Sequence, residues 1–523
     1  MTERLHPEFL SMKTILPLFV LALAISCSSP EVENKLDVYS IATDAGLVSG
    51  KLVGPDSIKT FMGIPFAEPP VGELRWKAPQ PVQSWEGIKE FVENPPSAIQ
   101  NPPVPFFAWS EEFLIPKEPI SEDCLYLNVW TGADKSDEKL PVMVWIHGGG
   151  FSGGSGTVPL YDGEELAKKG IVVVTINYRL GIFGFLAHPE LTAESTDQTS
   201  GNYGILDQIA ALEWVKKNIS AFGGDPDNVT VAGQSAGAFA VNGLVVSPKA
   251  KGLFHKAIAQ SGGMFNRGTG LVSGIEGAEE RGQELMMGMG VESIQDLRRI
   301  SADSLLKIPG RFGPVIDGKV IPGVRETFEN SAHSDVPLLT GWNADDNVSF
   351  GPEVSPAQFK ENAKKLYGGR AGEYLQLFPA ENEVELKETQ GILAELNFGF
   401  QNYTWAKMQT EKGEKDVYVY YFTRVPPGEP NYGAFHSAEF SYAFHTLNKW
   451  NRPFEKVDYA LEENMSGYWV NFIKTGNPNG KGRPVEWPVF DPQDPMVLEL
   501  GTNINVRNIP YWEQMKFLEE FNK

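Results

Sequence analysis

The chain has 523 residues, 41% of them hydrophobic, and its 45 Lys and Arg against 67 Asp and Glu give a net charge of −22. This composition is typical of a globular protein, and the acidic balance argues against binding to nucleic acid or to anionic membranes. The same charge suits either a well-hydrated exterior or an acidic mouth that attracts cationic substrates.

The first predicted element is an export signal. Residues 15–25 form an apolar run after Lys13 that is too short to span a bilayer but suits the core of a secretory signal. We predict a signal peptide over residues 1–27, either of the lipoprotein type, with Cys27 as the lipidated residue, or of the plain secretory type. An uncleaved segment is the third alternative. Translation from Met12 would omit two glutamates that are unusual ahead of such a signal.

The signal sets the expected location and thiol chemistry. It predicts a periplasmic or outer-membrane-anchored lipoprotein, or a secreted protein, with membrane contact only through the anchor at Cys27. Residues 28–36 are polar and are predicted to form a flexible tether. Cys124 is the other of the two cysteines, so the mature protein is expected to carry no disulfide.

Beyond the tether, strand-like runs alternate with helical ones. Strands that are apolar on both faces are predicted at 140–148 and 170–179, and a helix at 204–219. Further strands are predicted at 228–233, 255–262, 336–342 and 416–424. The alternation indicates a largely parallel sheet wrapped in helices. Because no linker divides the chain, residues 37–523 are predicted to form a single α/β domain with long insertions.

A glycine-rich segment at 147–154 follows the first of these strands. Three of its glycines fit the G-x-G-x-x-G dinucleotide fingerprint, but no helix opens at once and the acidic residue expected about 20 positions later is missing. No Lys-Ser/Thr pair follows either, which argues against a nucleotide P-loop. An oxyanion hole explains the glycines better, because the amides of Gly149 and Gly150, with that of Ala236, can point at a developing negative charge.

A serine stands where the predicted strand at 228–233 gives way to an apolar helical pattern. Gly233 and Gly237 flank Ser235 in the order G-x-S-x-G, which permits the sharp strand–turn–helix of a nucleophile elbow. The bare pattern recurs by chance, whereas its position between a strand and a helix is specific. Ser235 is therefore the predicted nucleophile rather than a serine that caps a helix.

A serine hydroxyl needs a base to remove its proton, and the chain has seven histidines. His6 precedes the predicted mature protein, and His147 lies in the glycine-rich segment. His436 and His445 come late in the chain, as the serine–acid–histidine order associated with such elbows requires. His436 is favoured because it lies in a Gly-containing loop after a predicted strand.

The acid of this triad is expected between the serine and the histidine, directly after a strand. Asp345 and Asp346 both follow the predicted strand at 336–342, and the residues alone leave the choice between them open. The predicted chemistry needs no cofactor, and no cluster of Cys and His suggests a metal.

Together these segments resemble type-B carboxylesterases, the family that includes the cholinesterases. The likeness extends over essentially all of the mature chain. It rests on a long serine-site signature at 222–237, a second signature at 122–130, and familiar stretches at 61–76, 177–185, 312–318 and 475–479. The resemblance implies an α/β-hydrolase fold, in which a central, mostly parallel, twisted sheet is flanked by helices and long insertions surround a gorge-like active site.

The resemblance also implies roles for individual residues. The stretch that carries the family's acid selects Asp346, although many relatives have Glu there, and the histidine loop selects His436. Ser235, Asp346 and His436 then form the catalytic triad, and Glu439 is structural. Two ion pairs are implied within the scaffold, Arg75 with Glu122 and Arg179 with Asp207.

The chain departs from the family at the presumed gorge. Relatives often pair the Cys124 position with an upstream cysteine, where this chain has Ala98, so the loop across 98–124 is not stapled. That loop carries four aromatic residues that either line a substrate mouth or pack the loop itself: Phe106, Phe107, Trp109 and Phe113. Gln234 and Leu114 stand where cholinesterases have Glu and Trp, so choline esters are not expected as substrates.

The predicted function is that of a serine carboxylesterase that works through an acyl-enzyme. The alternatives are a lipase acting at lipid interfaces and a non-catalytic binding protein of the same fold. The acyl and alcohol specificity stays open among aliphatic esters, aryl esters, acylated sugars and polyesters.

Overall fold

The fold is given by a computed structural model that describes residues 35–117, 119–265, 272–347 and 354–521. The predicted signal peptide at 1–27, with Cys27, and the tether as far as residue 34 lie outside the described residues. Leu36, at the end of the predicted tether, is buried, and its N–H donates to the carbonyl of Asp134 at 2.8 Å.

A large mixed sheet dominates the described part of the chain. Its eleven strands, in chain order, are β1 Lys51–Val53, β2 Ile58–Pro65, β3 Tyr126–Thr131, β4 Leu140–Ile146, β5 Val172–Ile176, β6 Gly224–Gln234, β7 Lys256–Gln260, β8 Leu338–Asn343, β9 Val417–Phe422, β10 Met496–Leu500 and β11 Ile504–Asn508. Their spatial order is β11-β10-β9-β8-β7-β6-β4-β5-β3-β2-β1. The strands predicted from residue 140 to residue 424 are confirmed as members of this sheet.

The direction of the strands changes from the centre of the sheet to its edges. Neighbours from β10 through β9, β8, β7, β6 and β4 to β5 are parallel. The outer pairs β11–β10, β5–β3, β3–β2 and β2–β1 are antiparallel. A parallel centre with antiparallel edges confirms the predicted mostly parallel sheet, and it explains why the central strands are apolar on both faces.

Fifteen α-helices lie in the described residues. They are α1 Glu164–Lys168, α2 Gly181–Phe185, α3 Pro189–Glu194, α4 Tyr203–Asn218, α5 Ala236–Val246, α6 Ile275–Met289, α7 Ile294–Arg298, α8 Ala302–Leu306, α9 Val324–Glu329, α10 Pro356–Tyr367, α11 Ala371–Leu377, α12 Glu383–Lys412, α13 Phe440–Phe444, α14 Lys456–Thr475 and α15 Trp512–Phe521. None of these helices combines the length and the apolarity needed to cross a bilayer.

Both faces of the sheet are covered, as the side-chain alternation along β4 illustrates. Val142, Val144 and Ile146 pack in one apolar cluster with residues of α4 and α5. Met143 and Trp145 face the other way and pack in a second cluster with residues of α1 and α14. The alternation follows from the two-residue period of a strand, and each cluster holds its helices against one face.

Small sheets and ion pairs hold the insertions in place. Short strands pair outside the large sheet at Ile41–Ala42, Leu47–Ser49 and Ile88–Glu90, at Ser97–Ala98 with Ile120–Ser121, and at Ser273–Gly274 with Val315–Ile316. The two scaffold ion pairs are confirmed: Arg75 Nη2 lies 2.6 Å from Glu122 Oε2, and Arg179 Nη2 lies 2.6 Å from Asp207 Oδ1. Both pairs have two hydrogen bonds between guanidinium and carboxylate, the strongest geometry for such a contact.

Parallel neighbours bring distant parts of the sequence to one edge of the sheet. The strands β6, β7, β8 and β9 lie side by side, and their carboxyl ends meet at the same edge. Ser235 directly follows β6, Asp346 lies shortly after β8, and His436 lies in the segment after β9. In open α/β sheets this edge is where ligands bind.

Candidate active site

Ser235 lies in a sharp turn between β6 and α5. Its backbone has φ 55° and ψ −124°, a strained conformation for a residue other than glycine. The turn is tight, because a Cβ atom on Gly237 would come within 2.0 Å of the carbonyl oxygen of Ile146 on β4. The N–H of Ser235 donates to the carbonyl of Gln260 at 2.9 Å, which anchors the turn to β7. This geometry is that of a nucleophile elbow.

Asp346 contacts the ring of His436. The Nδ1 atom of His436 is hydrogen-bonded to Oδ1 of Asp346, and both side chains are buried. The other carboxylate oxygen, Oδ2, accepts the hydroxyl of Ser261 at 2.6 Å and the backbone N–H of Asn343 at 3.1 Å. With each oxygen bonded, the carboxylate has one fixed orientation, and it holds the imidazole in turn.

Asp345, the other acid that the sequence left open, has a different environment. Its Oδ2 accepts the backbone N–H of Ala434 at 2.7 Å, and its own N–H donates to the carbonyl of the same residue at 3.2 Å. Asp345 therefore fastens the loop after β8 to the loop that carries His436.

The Nε2 atom of His436 faces Gln234. The side-chain Nε2 of Gln234 lies 3.1 Å from it. Ser235 and His436 line the same cavity, but the hydrogen bonds of the described residues do not include one between the Ser235 hydroxyl and the ring. Catalytic hydrogen bonds are often long in free enzymes and shorten when substrate binds.

Two aromatic rings pack on His436. Phe398 of α12 is stacked on the imidazole, with ring centroids 4.6 Å apart and an angle of 24° between the planes. Trp109 approaches edge-on at 6.3 Å, and its indole N–H donates to the hydroxyl of Ser437 at 3.3 Å. The ring of His436 is thus contacted by two aromatic side chains and has a polar partner at each nitrogen.

The glycine-rich segment after β4 brings free amides to the same place. Gly149 has φ 107°, and a Cβ atom there would lie 2.1 Å from the carbonyl of Gly153, so only glycine fits. Its carbonyl accepts the N–H groups of Ser152 and Gly153 at 3.1 and 3.0 Å, which closes the turn. Among the described residues, no acceptor is paired with the N–H of Gly149, Gly150 or Ala236. These are the three amides predicted for the oxyanion hole.

His147 supports that segment rather than acting as a base. Its ring stacks on Tyr178 with centroids 4.5 Å apart, and Nδ1 lies 2.8 Å from the carbonyl of Gly148. Burial lowers the pKa of His147 to about 4, so the ring stays neutral at ordinary pH.

Glu439 lies in a polar network beneath His436. It is fully buried and accepts hydrogen bonds from Asn343 Nδ2 at 2.6 Å and from Gln260 Nε2 at 3.0 Å. Burial, and to a lesser extent the nearby charge of Asp346, raises the pKa of Glu439. Glu439 has no hydrogen bond to the ring of His436 and joins the histidine loop to β7 and β8, in agreement with a structural role.

The candidate site opens into a cavity of about 1300 Å³. One wall is the strap, defined here as residues 101–115, which contributes Phe106, Trp109, Phe113 and Leu114. Further aromatic lining comes from Tyr161, Phe239, Phe312, Phe398 and Phe440. Arg311 is the one Lys, Arg, Asp or Glu among the described residues of the lining, so the lining does not form an acidic mouth. The described residues also contain no group of three or more His, Cys, Asp or Glu that could hold a metal ion.

Several residues at the site escaped the sequence reasoning. Ser261 was visible only as part of a predicted strand, and Phe398 lies in a long helix that no motif marks. The contact of Gln234 with His436 joins residues 202 positions apart. A polar residue at the carboxyl end of a central strand, as Ser261 is, was the one available signal.

Comparison with known proteins gives a consistent result. A family model described as "Carboxylesterase family" matches residues 37–518. The chain is 36% identical to a fumonisin B1 esterase from Sphingopyxis macrogoltabida, over 86% of this chain and 84% of the relative. It is 34% identical to the para-nitrobenzyl esterase of Bacillus subtilis, over 91% of this chain and 98% of that protein.

The fold is similar to solved structures. A thermophilic PNB esterase aligns with a TM-score of 0.79 and 33% identity, covering 92% of this chain and all of that one (100%). A second PNB esterase structure aligns with a TM-score of 0.78 and 32% identity, over 92% of this chain and 99% of the other. The expected α/β-hydrolase fold is thereby confirmed.

Proposed function

The chain belongs to the carboxylesterase family and is a carboxylic ester hydrolase, and we propose that it is a serine esterase that forms an acyl-enzyme on Ser235. The observation that carries this proposal is the buried contact of His436 with Asp346, at the cavity that Ser235 also lines. The free amides of Gly149, Gly150 and Ala236 support it further, because acyl transfer needs donors for an oxyanion.

In the first half of the reaction, Ser235 attacks the ester carbonyl. His436 Nε2 takes the proton of the hydroxyl as the Oγ–C bond forms, and Asp346 stabilises the imidazolium through Nδ1. The carbonyl electrons move onto oxygen, where the three amides can donate to it. The C–O bond to the alcohol then breaks, and the alcohol leaves with the proton from Nε2.

In the second half, water replaces the alcohol. His436 takes a proton from water as the hydroxide adds to the acyl carbonyl, and the same amides stabilise the second oxyanion. When the tetrahedral intermediate collapses, Ser235 recovers its proton and the carboxylic acid leaves. His436 thus takes up and gives back one proton in each half of the reaction.

The test is active-site labelling combined with turnover. A fluorophosphonate should label the wild-type protein once, and mass spectrometry of peptides should place the adduct on Ser235. The Ser235→Ala variant should neither be labelled there nor hydrolyse p-nitrophenyl esters of short acyl chains. Labelling at another serine, or turnover retained in the variant, contradicts the proposal.

We propose further that the substrates are esters without a positive charge. Gln234 stands where a carboxylate would attract a cation, and Arg311 is the only Lys, Arg, Asp or Glu in the described lining of the cavity. A quaternary ammonium group would therefore meet a cation and no anion in the cavity wall.

A matched pair of esters tests this preference. Butyrylthiocholine and 3,3-dimethylbutyl thiobutyrate differ by the charge of one atom, and we expect the neutral ester to have a kcat/KM at least about tenfold higher. The Arg311→Gln variant should narrow the ratio, whereas Arg299→Gln, at a side chain paired with Asp296 away from the cavity, should not. Equal rates for the two esters in the wild-type protein contradict the preference.

One observation favours a second function, hydrolysis at a lipid surface. Val104 and Phe106 of the strap are 68% and 54% exposed, and both belong to the lining of the cavity. A lipase would turn over tributyrin faster once the substrate exceeds its solubility, whereas an esterase saturates below that limit. The concentration dependence of tributyrin hydrolysis separates the two.

We also propose that the protein is exported and that Cys27 carries its lipid. The support is the sequence of the predicted signal. Mass spectrometry of the N-terminus after expression of the full chain in a bacterium decides the matter: a diacylated Cys27 supports the lipoprotein, and an unmodified cleaved N-terminus supports a plain secretory signal.

A further inference from the structure

Gln234 contacts the nitrogen of His436 that the proposed reaction uses. The carboxamide nitrogen of Gln234 lies 3.1 Å from Nε2 of His436, and both side chains are almost completely buried, 2% and 3% exposed. Gln234 is the last residue of β6, and its backbone pairs with Gln260 of the neighbouring strand β7. The contact is therefore a fixed part of the free enzyme and not an encounter of two mobile side chains.

The hydrogen atoms of this contact can be assigned from its neighbours. Asp346 accepts a hydrogen bond from Nδ1 of His436, which places the proton of the neutral ring on Nδ1 and a lone pair on Nε2. The amide nitrogen of Gln234 can donate hydrogen bonds but cannot accept them, so it donates to that lone pair. The same lone pair is the one that has to accept the proton of Ser235.

We propose that Gln234 is a positioning residue that caps the base of the resting enzyme and turns its carboxamide over when His436 is protonated. This inference rests on the proposed function. In the resting enzyme the amide N–H occupies Nε2, in place of the hydroxyl of Ser235. When that hydroxyl gives its proton to Nε2 and Oγ bonds to the ester carbon, the new N–H of the ring no longer accepts a hydrogen bond.

A half-turn of the carboxamide then presents Oε1 to the imidazolium, which donates to it. When the imidazolium passes its proton to the leaving alcohol and the C–O bond breaks, the lone pair on Nε2 returns and so does the cap. The amide oxygen has room in its present position because its neighbour is Gly148, where a Cβ atom would lie 3.1 Å from Oε1. An amide can both donate and accept at this position, whereas a carboxylate can only accept and an alkyl group can do neither.

The other groups around the His436 ring do not contact Nε2 and do not switch between donor and acceptor. The charged groups that face His436 are Asp346, at Nδ1, and the carboxyl of Glu439 in its own loop. From α12 the described ring contact is the stacked Phe398, and from the strap it is the edge-on Trp109. Substitution of Gln234 therefore changes the partner of Nε2 and leaves every other neighbour in place.

The pH profile of kcat/KM is the readout, because a merely structural role would not move it. A donor at Nε2 stabilises the neutral ring, which is the active form, so removing it by Gln234→Leu should shift the acid limb to higher pH. A carboxylate in Gln234→Glu stabilises the imidazolium instead, so the limb should move further, by about one pH unit from the wild type. The expected order of the midpoints is wild type, then Gln234→Leu, then Gln234→Glu.

Gln390→Glu is the matched control, because it places the same charge in the same cavity without touching the ring. Its acid limb should stay with that of the wild type. The proposed role of Gln234 is contradicted if all four proteins have the same midpoint of the acid limb. It is also contradicted if the midpoint shifts as far in Gln390→Glu as in Gln234→Glu. Ser235→Ala in the same assay reports separately on the proposed function, since hydrolysis that survives there removes the serine mechanism whatever Gln234 does.

A measurement on the wild-type protein covers the case in which the variants fail to fold. Nitrogen-15 NMR of protein labelled at histidine, above the acid limb, should give a neutral ring with its proton on Nδ1 and a hydrogen-bonded lone pair on Nε2. After labelling of Ser235 with a fluorophosphonate, the same nitrogen should change environment. A neutral ring with its proton on Nε2, or with a free lone pair there, overturns the assignment.

Discussion

The two walls of the cavity are built in opposite ways. On the wall formed by the sheet, Asp346 and His436 are 0% and 3% exposed, and each polar atom of the two side chains has a partner. On the strap, Phe106 is 54% exposed, and the indole of Trp109 makes one hydrogen bond to the opposite wall, to Ser437. From this difference we expect the buried wall to carry out proton transfer and the more exposed strap to influence the choice of substrate.

The largest expected effect on kcat comes from substitution of Asp346 in the buried wall. Asp346→Asn keeps the size of the side chain but offers an amide to Nδ1, which favours the wrong tautomer of His436. We expect kcat for a p-nitrophenyl ester to fall by about 10³- to 10⁴-fold with a small change in KM. Asp345→Asn, one residue away and without contact to the ring, is the control, and a comparable loss there contradicts the assignment of the acid.

A smaller effect is expected from the residue behind the acid. Ser261→Ala removes one donor to Oδ2 of Asp346 and leaves the N–H of Asn343 in place. Since a hydrogen bond to a charged group contributes about 1.5–3 kcal/mol, a loss of about ten- to a hundredfold in kcat is expected. Ser247→Ala is the control, because it removes a buried hydroxyl that has no partner among the described residues. Its kcat, measured by steady-state kinetics, should stay close to that of the wild type.

Substitutions in the strap should change KM more than kcat, and the size of the change should depend on the substrate. Trp109→Phe keeps an aromatic ring and removes the donor to Ser437, so we expect changes of about two- to fivefold that vary along a series of acyl lengths. Ser437→Ala removes the acceptor, and a double-mutant cycle should give an interaction between the two positions. Strictly additive effects show that the hydrogen bond does not hold the strap.

Substitution of Glu395 should have the smallest effect on hydrolysis, but it should change how the free energy of unfolding depends on pH. Glu395 of α12 is 2% exposed and accepts the indole N–H of Trp342 at 3.1 Å. Burial raises the pKa of Glu395 to about 8, against about 4.3 in an unfolded chain. Between these values the folded state holds a proton that the unfolded state has lost, so the stabilisation present at low pH is lost as the pH rises toward 8.

In Glu395→Gln the side chain cannot ionise, so the variant should lack this part of the pH dependence of the free energy of unfolding. We expect the free energy of unfolding of the variant, relative to that of the wild type, to be about 4 kcal/mol higher at pH 8 than at pH 5. Thermal unfolding of both proteins across this range measures it. A difference that is constant with pH contradicts a buried neutral carboxyl.

The sequence predicted the buried wall far better than the strap. Ser235 and His436 could be chosen because a G-x-S-x-G between a strand and a helix, and a late histidine after a strand, each obey a local rule. Asp346 was separated from Asp345 only by the family resemblance, since both follow the same strand.

What escaped prediction depends on tertiary contacts. Phe398 contacts His436 because α12 packs against β8 and β9, and the pattern of a 30-residue helix does not say which of its rings will reach the histidine. In the strap, Phe113 packs against Trp450 with ring centroids 4.9 Å apart, while Phe106 remains exposed, and no periodicity distinguishes the two. The strap has only one short 3-10 helix, Glu111–Phe113, so its shape depends mainly on the residues that it packs against.

The side-by-side order of β6, β7, β8 and β9 also bears on how the molecule folds. The hydrogen bonds at the carboxyl edge of these strands join residues 202, 90 and 85 positions apart, for Gln234 with His436, Asp346 with His436, and Ser261 with Asp346. Contacts that close such long loops form slowly, whereas α4 and α5 need only their own neighbours. In refolding from denaturant, helical circular dichroism should return first and esterase activity last, so that hydrolysis reports the final closure of the sheet rather than the collapse of the chain.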